Sequence, residues 1–200
     1  IGQLDALTAL RSIDSLQGLG VEDLQLVHHL IFRSVHPWAG QFRTPGQMAT
    51  VSGYPSADPH RICRELELAL VQFQELLRPG FSSLSPQVHL RAVSFFHVRF
   101  ERIHPFLDGN GRTGRSVLAV QIEKLFGTLS TFGNQTGYRA AIRESGSNDL
   151  GPFIRFLSAE IDLPSAPGAS PSPFRLAPRF LDTETIPTLE QDLAWSRIQG

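Results

Sequence analysis

The 200-residue chain holds a single cysteine, Cys63, which excludes an intramolecular disulfide framework and any cysteine-built zinc site. No apolar run reaches the ~18 residues a membrane helix requires, so no bilayer span is expected. A formal net charge of −1 argues against a protein whose whole surface grips nucleic acid. Lysine is almost absent: of 18 basic residues only Lys124 is lysine, and the rest are arginine. Two origins compete for that bias. One is codon composition in GC-rich DNA; the other is arginine's planar fork, suited to phosphates and other bidentate anions. Composition does not choose between them. What is present, 41% apolar and 18% charged residues, excludes a collagenous or wholly disordered chain and fits one globular domain with a tail.

The chain opens at Ile1 without a methionine, which reads as a fragment or processed product. Its first twenty residues lack the basic start and long apolar core of a signal peptide. Helical periodicity then dominates to about residue 163. Leu4, Leu7 and Leu10 share one helical spacing, and Leu24, Val27, Leu30 and Ile31 predict a buried face on a helix from Val21 to Phe32. Between Trp38 and Pro59, Gly40, Pro45, Gly46, Gly53 and Pro55 break helices, and Thr50, Val51 and Tyr54 suit short strands. This predicts a hairpin or flap at about 40–58. Residues 60–78 return to helix, with Cys63 expected as a small buried residue on it. Ser85-Pro86 is a helix start, a capping hydroxyl followed by proline, and Pro105 ends that helix at His104. Another helix is expected from near Arg112 to Phe126 with Gly127 as its cap, and two more over 135–144 and 150–161. From Pro164 onward a proline-, serine- and alanine-rich stretch reads as a linker or tail over 164–200, with a short helix at 188–198.

One segment carries chemistry: His104-Pro-Phe-Leu-Asp-Gly-Asn-Gly-Arg-Thr-Gly-Arg115. It is a glycine-rich loop between two helices that opens onto a helix N-terminus. Gly109 and Gly111 permit positive φ, and Asn110 tolerates it. Successive amides in such a turn, with the free N–H groups and dipole of the next helix, form an anion site. Arg112 and Arg115 lie three apart, on one helix face, and helical side chains lean toward the N-terminus and therefore toward the loop. Asp108 supplies a hard oxygen ligand suited to Mg²⁺ bridging phosphates. His104 stands at the entrance as a base near neutral pH. The three glycines match a dinucleotide fingerprint, but a helix precedes them and no acid follows at about 20 residues. A Walker A loop is excluded because no Gly-Lys-Ser/Thr occurs. The remaining histidines, His28, His29, His36, His60, His89 and His97, show no ligand spacing and read as surface or satisfied core residues.

The segment resembles the signature of Fic-domain proteins, His-Pro-Phe-x-(Asp/Glu)-Gly-Asn-Gly-Arg-x-x-Arg, with every specified position present. The likeness extends over roughly residues 1–163 and includes Trp38-Ala-Gly-Gln-Phe-Arg-Thr44 before the flap. It implies an all-α fold, a Fic-type helical bundle with a small β-hairpin flap over the active site. It also implies a protein adenylyltransferase that moves AMP from ATP, with Mg²⁺, to a Ser, Thr or Tyr hydroxyl of a target protein. By the same resemblance His104 is the general base, Phe106 anchors the loop, and Asp108 holds Mg²⁺. Gly109, Asn110 and Gly111 line the anion hole, Arg112 meets the β-phosphate, and Arg115 meets the γ-phosphate. Asn134 and Tyr138 are spaced like a pair beside the nucleotide base, with helix capping and core packing as their alternative. Met48, Ala49, Thr50 and Val51 would align the target backbone by strand addition. Arg43, at the base of the flap, is a further phosphate-facing candidate.

Transfer of UMP or GMP on the same fold, and a nucleotide-binding regulator with little turnover, stay open as alternatives. Relatives that transfer phosphate carry lysine where Gly111 stands, and phosphocholine-transferring ones depart at the first glycine. Many family members carry an inhibitory Ser/Thr-x-x-x-Glu-Gly/Asn helix whose glutamate pairs with the residue at Arg115. No glutamate here has that spacing, so a brake is expected in a separate antitoxin, in another segment or nowhere. The arginine bias fits a GC-rich, bacterial source, and a cytoplasmic location is expected, with secretion into a host cell as a toxin or effector left open.

Overall fold

A computed structural model describes residues 2–47, 49–51, 54–78, 85–146 and 149–163. Among these residues seven α-helices follow in chain order: α1 (Gly2–Arg11), α2 (Val21–Phe32), α3 (Ile62–Leu76), α4 (Pro86–Ile103), α5 (Asn110–Phe126), α6 (Gln135–Glu144) and α7 (Gly151–Glu160). Two short strands, β1 (Thr50–Val51) and β2 (Tyr54–Pro55), pair antiparallel, with Thr50 opposite Pro55 and Val51 opposite Tyr54. Among the described residues the fold is therefore all-α apart from this ribbon. Met48 and the tail, including 188–198, lie outside the described residues. Among those described, no helix is long and apolar enough to cross a membrane.

The longest helix, α4, is the centre, packing against α3, α5 and α7, while α1 packs on α2 and α5. Its buried stripe, Ala92, Val93, Phe96, Phe100 and Ile103, meets the α3 stripe of Ile62, Leu66, Ala69, Leu70 and Phe73. Of the α1 leucines Leu10 is buried and Leu4 is 65% exposed, the inward face running through Ala6 and Leu10. Two local expectations need correction. Cys63 is exposed and donates to Glu67, since it sits about 100° round the helix from the Ile62–Leu66 stripe. On α2 the buried face runs through Val21, Leu24, Val27, His28 and Phe32, with Leu30 and Ile31 only half-buried. That rotation brings His28 and Phe32 beneath the loop that joins α4 to α5.

The ends of those two helices set the loop. Ser85 precedes Pro86 as expected, but its carbonyl rather than its hydroxyl makes the cap contact, accepting from Val88 N. At the other end His104 takes a left-handed conformation (φ 52°, ψ 61°) and its N–H closes on the Phe100 carbonyl. Gly109 then reverses the chain at φ 81°, and α5 begins at once with Asn110 rather than near Arg112. A Cβ on Gly109 would lie 2.4 Å from the Phe32 ring, so both the backbone angle and the space require glycine there. Gly127, at φ 67°, caps the far end of α5.

Candidate active site

His104 is held at the C-terminus of α4 by its own backbone and by its ring. Nδ1 lies 3.2 Å from the Glu101 carbonyl, a contact that places the ring proton on Nδ1 and leaves Nε2 as the open acceptor. Burial lowers its pKa; the nearby Arg43 charge acts the same way, while the Glu101 carbonyl and Asp108 oppose both. The imidazole is therefore a neutral base at neutral pH. A non-glycine residue in left-handed conformation carries strain, and strain of this kind gathers where a side chain must be aimed.

The anion site follows from the first turn of α5. Its ladder opens with Thr113 N donating to the Gly109 carbonyl, so the amides of Asn110, Gly111 and Arg112 precede it. Asn110 contributes through its backbone, because its side chain is buried and committed to the loop. Its Oδ1 accepts from Phe106 N at 2.9 Å and its Nδ2 donates to Phe106 O at 2.8 Å. This two-way bond staples the turn, and Phe106 anchors it in the core against His28 (3.9 Å between ring centres) and Phe42 (5.4 Å). Asp108 points outward, 65% exposed, with Oδ2 3.7 Å from His36 Nε2. No three metal-ligating side chains gather among the described residues. A lone outward carboxylate fits Mg²⁺, which takes one or two carboxylates and completes its shell with water and phosphate oxygens.

Each arginine rests on an aromatic ring from a different helix. The Arg112 guanidinium lies 4.3 Å from the centre of the Phe32 ring, on α2. Arg115 lies 5.2 Å from that of Tyr138, on α6, and bends back so far that a Cβ on Gly111 would sit 3.0 Å from one of its nitrogens. Both charges thus face the loop, the geometry their three-residue spacing predicts. Asn134 and Tyr138 make structural contacts. Asn134 caps α6, accepting from Gly137 N, and is exposed. Tyr138 is 4% exposed, and its hydroxyl donates to Glu101 Oε1 at 2.9 Å.

Three residues that hold the site carry no local signal. Arg43 faces no phosphate position: it is 3% exposed and donates to carbonyls only. Its Nε bonds His104 O at 2.8 Å, while Nη2 reaches Ile103 O at 3.2 Å and Ala57 O, and Nη1 reaches Gln47 O at 3.4 Å. One guanidinium therefore ties both feet of the β1–β2 ribbon to the loop. His28 is fully buried and accepts from Gly40 N on Nδ1 at 2.8 Å, so its Nε2–H donates to the Asp108 carbonyl at 3.0 Å. Burial lowers its pKa, which suits the neutral form those two bonds need. Glu101 is the third, buried beside Tyr138 and Arg115. Of the ribbon residues expected to dock a target, Thr50 and Val51 form β1, Ala49 accepts from Ser56, and Met48 is outside the described residues.

Comparison with known proteins places this geometry. The Nematostella vectensis protein adenylyltransferase Fic is 26% identical over 163 residues, 79% of this chain and 36% of that protein. The Drosophila melanogaster protein of the same name is 26% identical over 141 residues, 69% of this chain and 27% of that one. The chain thus spans about a third of the length of the curated relatives it matches. Among solved structures, a Fic domain containing signaling protein from Bacteroides thetaiotaomicron superposes with a TM-score of 0.65 at 15% identity, covering 80% of this chain and 66% of that one. The BepC protein of Bartonella tribocorum, solved with bound AMPPNP, gives 0.57 at 20% identity, over 79% and 81%. The Fic/DOC family model matches residues 18–122, more than half of the chain, and the chain belongs to the Fic/DOC family.

Proposed function

We propose that this chain is a protein adenylyltransferase that transfers AMP from ATP to a hydroxyl side chain of a target protein. The observation that carries the reading is the orientation of His104: a neutral imidazole, with Nδ1 tied to the Glu101 carbonyl and Nε2 open, in the loop that leads into the α5 amides. Two arginines turned back toward the same loop give successive phosphates their counter-charge. The curated relatives named protein adenylyltransferase support the reaction class.

On this reading the target hydroxyl docks within reach of Nε2 and loses its proton there as its oxygen bonds to the α-phosphorus. The bond from the α-phosphorus to the bridging oxygen breaks in the same displacement, and pyrophosphate leaves. The amides of Asn110 and Gly111, with the α5 dipole, stabilise the charge on the α-phosphate; Arg112 and Arg115 neutralise the β- and γ-phosphates. Asp108 is the carboxylate that would hold Mg²⁺, which when bound offsets phosphate charge and orients the chain of phosphates. The β1–β2 ribbon offers a backbone edge to which an extended target segment adds as a strand.

The test is label transfer. The chain, incubated with lysate and Mg²⁺, is expected to label protein from ATP carrying its label on the α-phosphate. His104→Ala should lower that labelling by roughly 10²–10⁴-fold. Label arriving only from the γ-phosphate would sink the reading. Parallel incubations with labelled UTP and GTP identify the base, and labelling by either in preference to ATP replaces AMP with that nucleotide.

A further inference from the structure

Among the buried polar side chains that the proposed reaction does not use are His97, Glu101 and Tyr138, exposed by 1%, 6% and 4%. They come from α4 and α6, and their contacts converge on one oxygen. The Tyr138 hydroxyl donates to Glu101 Oε1 at 2.9 Å and lies 2.7 Å from His97 Nε2, while the Arg115 guanidinium lies 5.2 Å from the centre of its ring. With Glu101 ionised the phenol's one proton goes to the carboxylate, so His97 Nε2–H donates to the phenol oxygen. The ring below is wedged by Phe153 and Phe156, at 6.1 and 6.0 Å between centres, so the hydroxyl has one position. The α5 backbone passes directly over the carboxylate, where a Cβ on Gly114 would lie 2.7 Å from Glu101 Oε1. Glycine at 114 leaves the room that the Glu101 carboxylate and the Phe100 ring occupy.

We propose that Glu101, acting through the Tyr138 hydroxyl, is a positioning residue for Arg115 that fixes its guanidinium over the Gly111 turn and thereby sets a preference for a nucleoside triphosphate over a diphosphate. The proposal rests on the assignment of Arg115 to a terminal phosphate. Arginine has several rotatable bonds, and an unanchored guanidinium must be ordered by the ligand itself, a cost that preorganisation removes. The Tyr138 ring face is the seat of the guanidinium, and the Glu101 bond to the hydroxyl holds that face in place while the buried carboxylate attracts the guanidinium by charge. Arg112, exposed on the Phe32 ring, has no comparable acid among the contacts described for it.

The experiment uses the full chain and two readouts. Affinities for ATP and ADP are measured by calorimetry for wild type, Glu101→Gln, Tyr138→Phe, Arg115→Ala and the Glu101→Gln/Arg115→Ala double variant. The ratio of ATP to ADP affinity is expected to fall roughly 3- to 30-fold in Glu101→Gln and Tyr138→Phe, the range for coupled neighbours, with ADP affinity within about twofold. Glu101→Gln should change the ratio no further once Arg115 is alanine. Equal losses for both nucleotides, or additive effects in the double variant, overturn the proposal. The second readout needs no ligand: the Arg115 Nε–H resonance, identified by its loss in Arg115→Lys, should be resolved and slow to exchange in wild type and averaged in Glu101→Gln. An unchanged resonance overturns the seat. A wild-type chain that does not distinguish ATP from ADP overturns the phosphate assignment, while the resonance still decides whether Glu101 fixes Arg115.

Discussion

His97 is a buried base whose Nε2 lies 3.8 Å from Glu101 Oε1, and its titration is a stability statement. Burial, helped by the Arg115 charge, lowers its pKa from 6.5 to about 3. The unfolded chain therefore takes a proton first as pH falls below 6.5, and the stability that depends on neutral His97 drains away between 6.5 and 3. Glu101 has the opposite sign. Burial raises it from 4.5 to about 6, against the Tyr138 bond and the Arg115 charge. The native state takes up that proton first, so its contribution grows as pH falls from 6 to 4.5. The two slopes oppose each other between 4.5 and 6, and the loss from His97 stands alone below about 4.5. In urea midpoints measured from pH 3 to 7, His97→Gln should show a shallower acid fall than wild type, with a difference on the order of a few kcal/mol across the window. Identical slopes in both proteins would contradict this assignment.

Elements are joined at the site by contacts that helical periodicity does not encode. The bounds of α2, the proline start of α4 and the Gly127 cap of α5 were legible because each is a local signal: an apolar spacing, a fixed φ, a residue free to take positive φ. The loop was legible for the same reason, since its chemistry lies within twelve successive residues. Arg43 was not, because its partner His104 is 61 residues away, and neither were the His28–Asp108 pair at 80 or the Tyr138–Glu101 pair at 37. Arg43→Met keeps most of the volume and removes every donor, leaving the carbonyls of Gln47, Ala57, Ile103 and His104 without the bonds it makes. A stability loss of about 3 kcal/mol is expected in urea unfolding. Amide exchange at Arg43 and Ser56, which bond Pro105 and Ala49, should quicken more than exchange in α3. Uniform quickening would show that Arg43 supports the whole fold and not the ribbon.

At the scale of the whole molecule, α6 and α7 serve the site from behind. Phe153 is fully buried, stacked on His97 at 5.1 Å and packed against Tyr138 and Phe156. Phe153→Ala should cost about 3–5 kcal/mol in urea unfolding, through the cavity it opens under the Tyr138 hydroxyl. A loss below about 1 kcal/mol would mean that this end of the bundle collapses to fill the space. The geometry also fixes an order of assembly. Every residue of the signature has been made once Arg115 is added, yet the ring on which Arg115 lies arrives 23 residues later and its wedge, Phe153, 15 after that. A chain growing from its N-terminus therefore carries the whole His104–Arg115 segment well before it has a place to hold the second arginine, and among the described residues the last that wedge that place belong to α7.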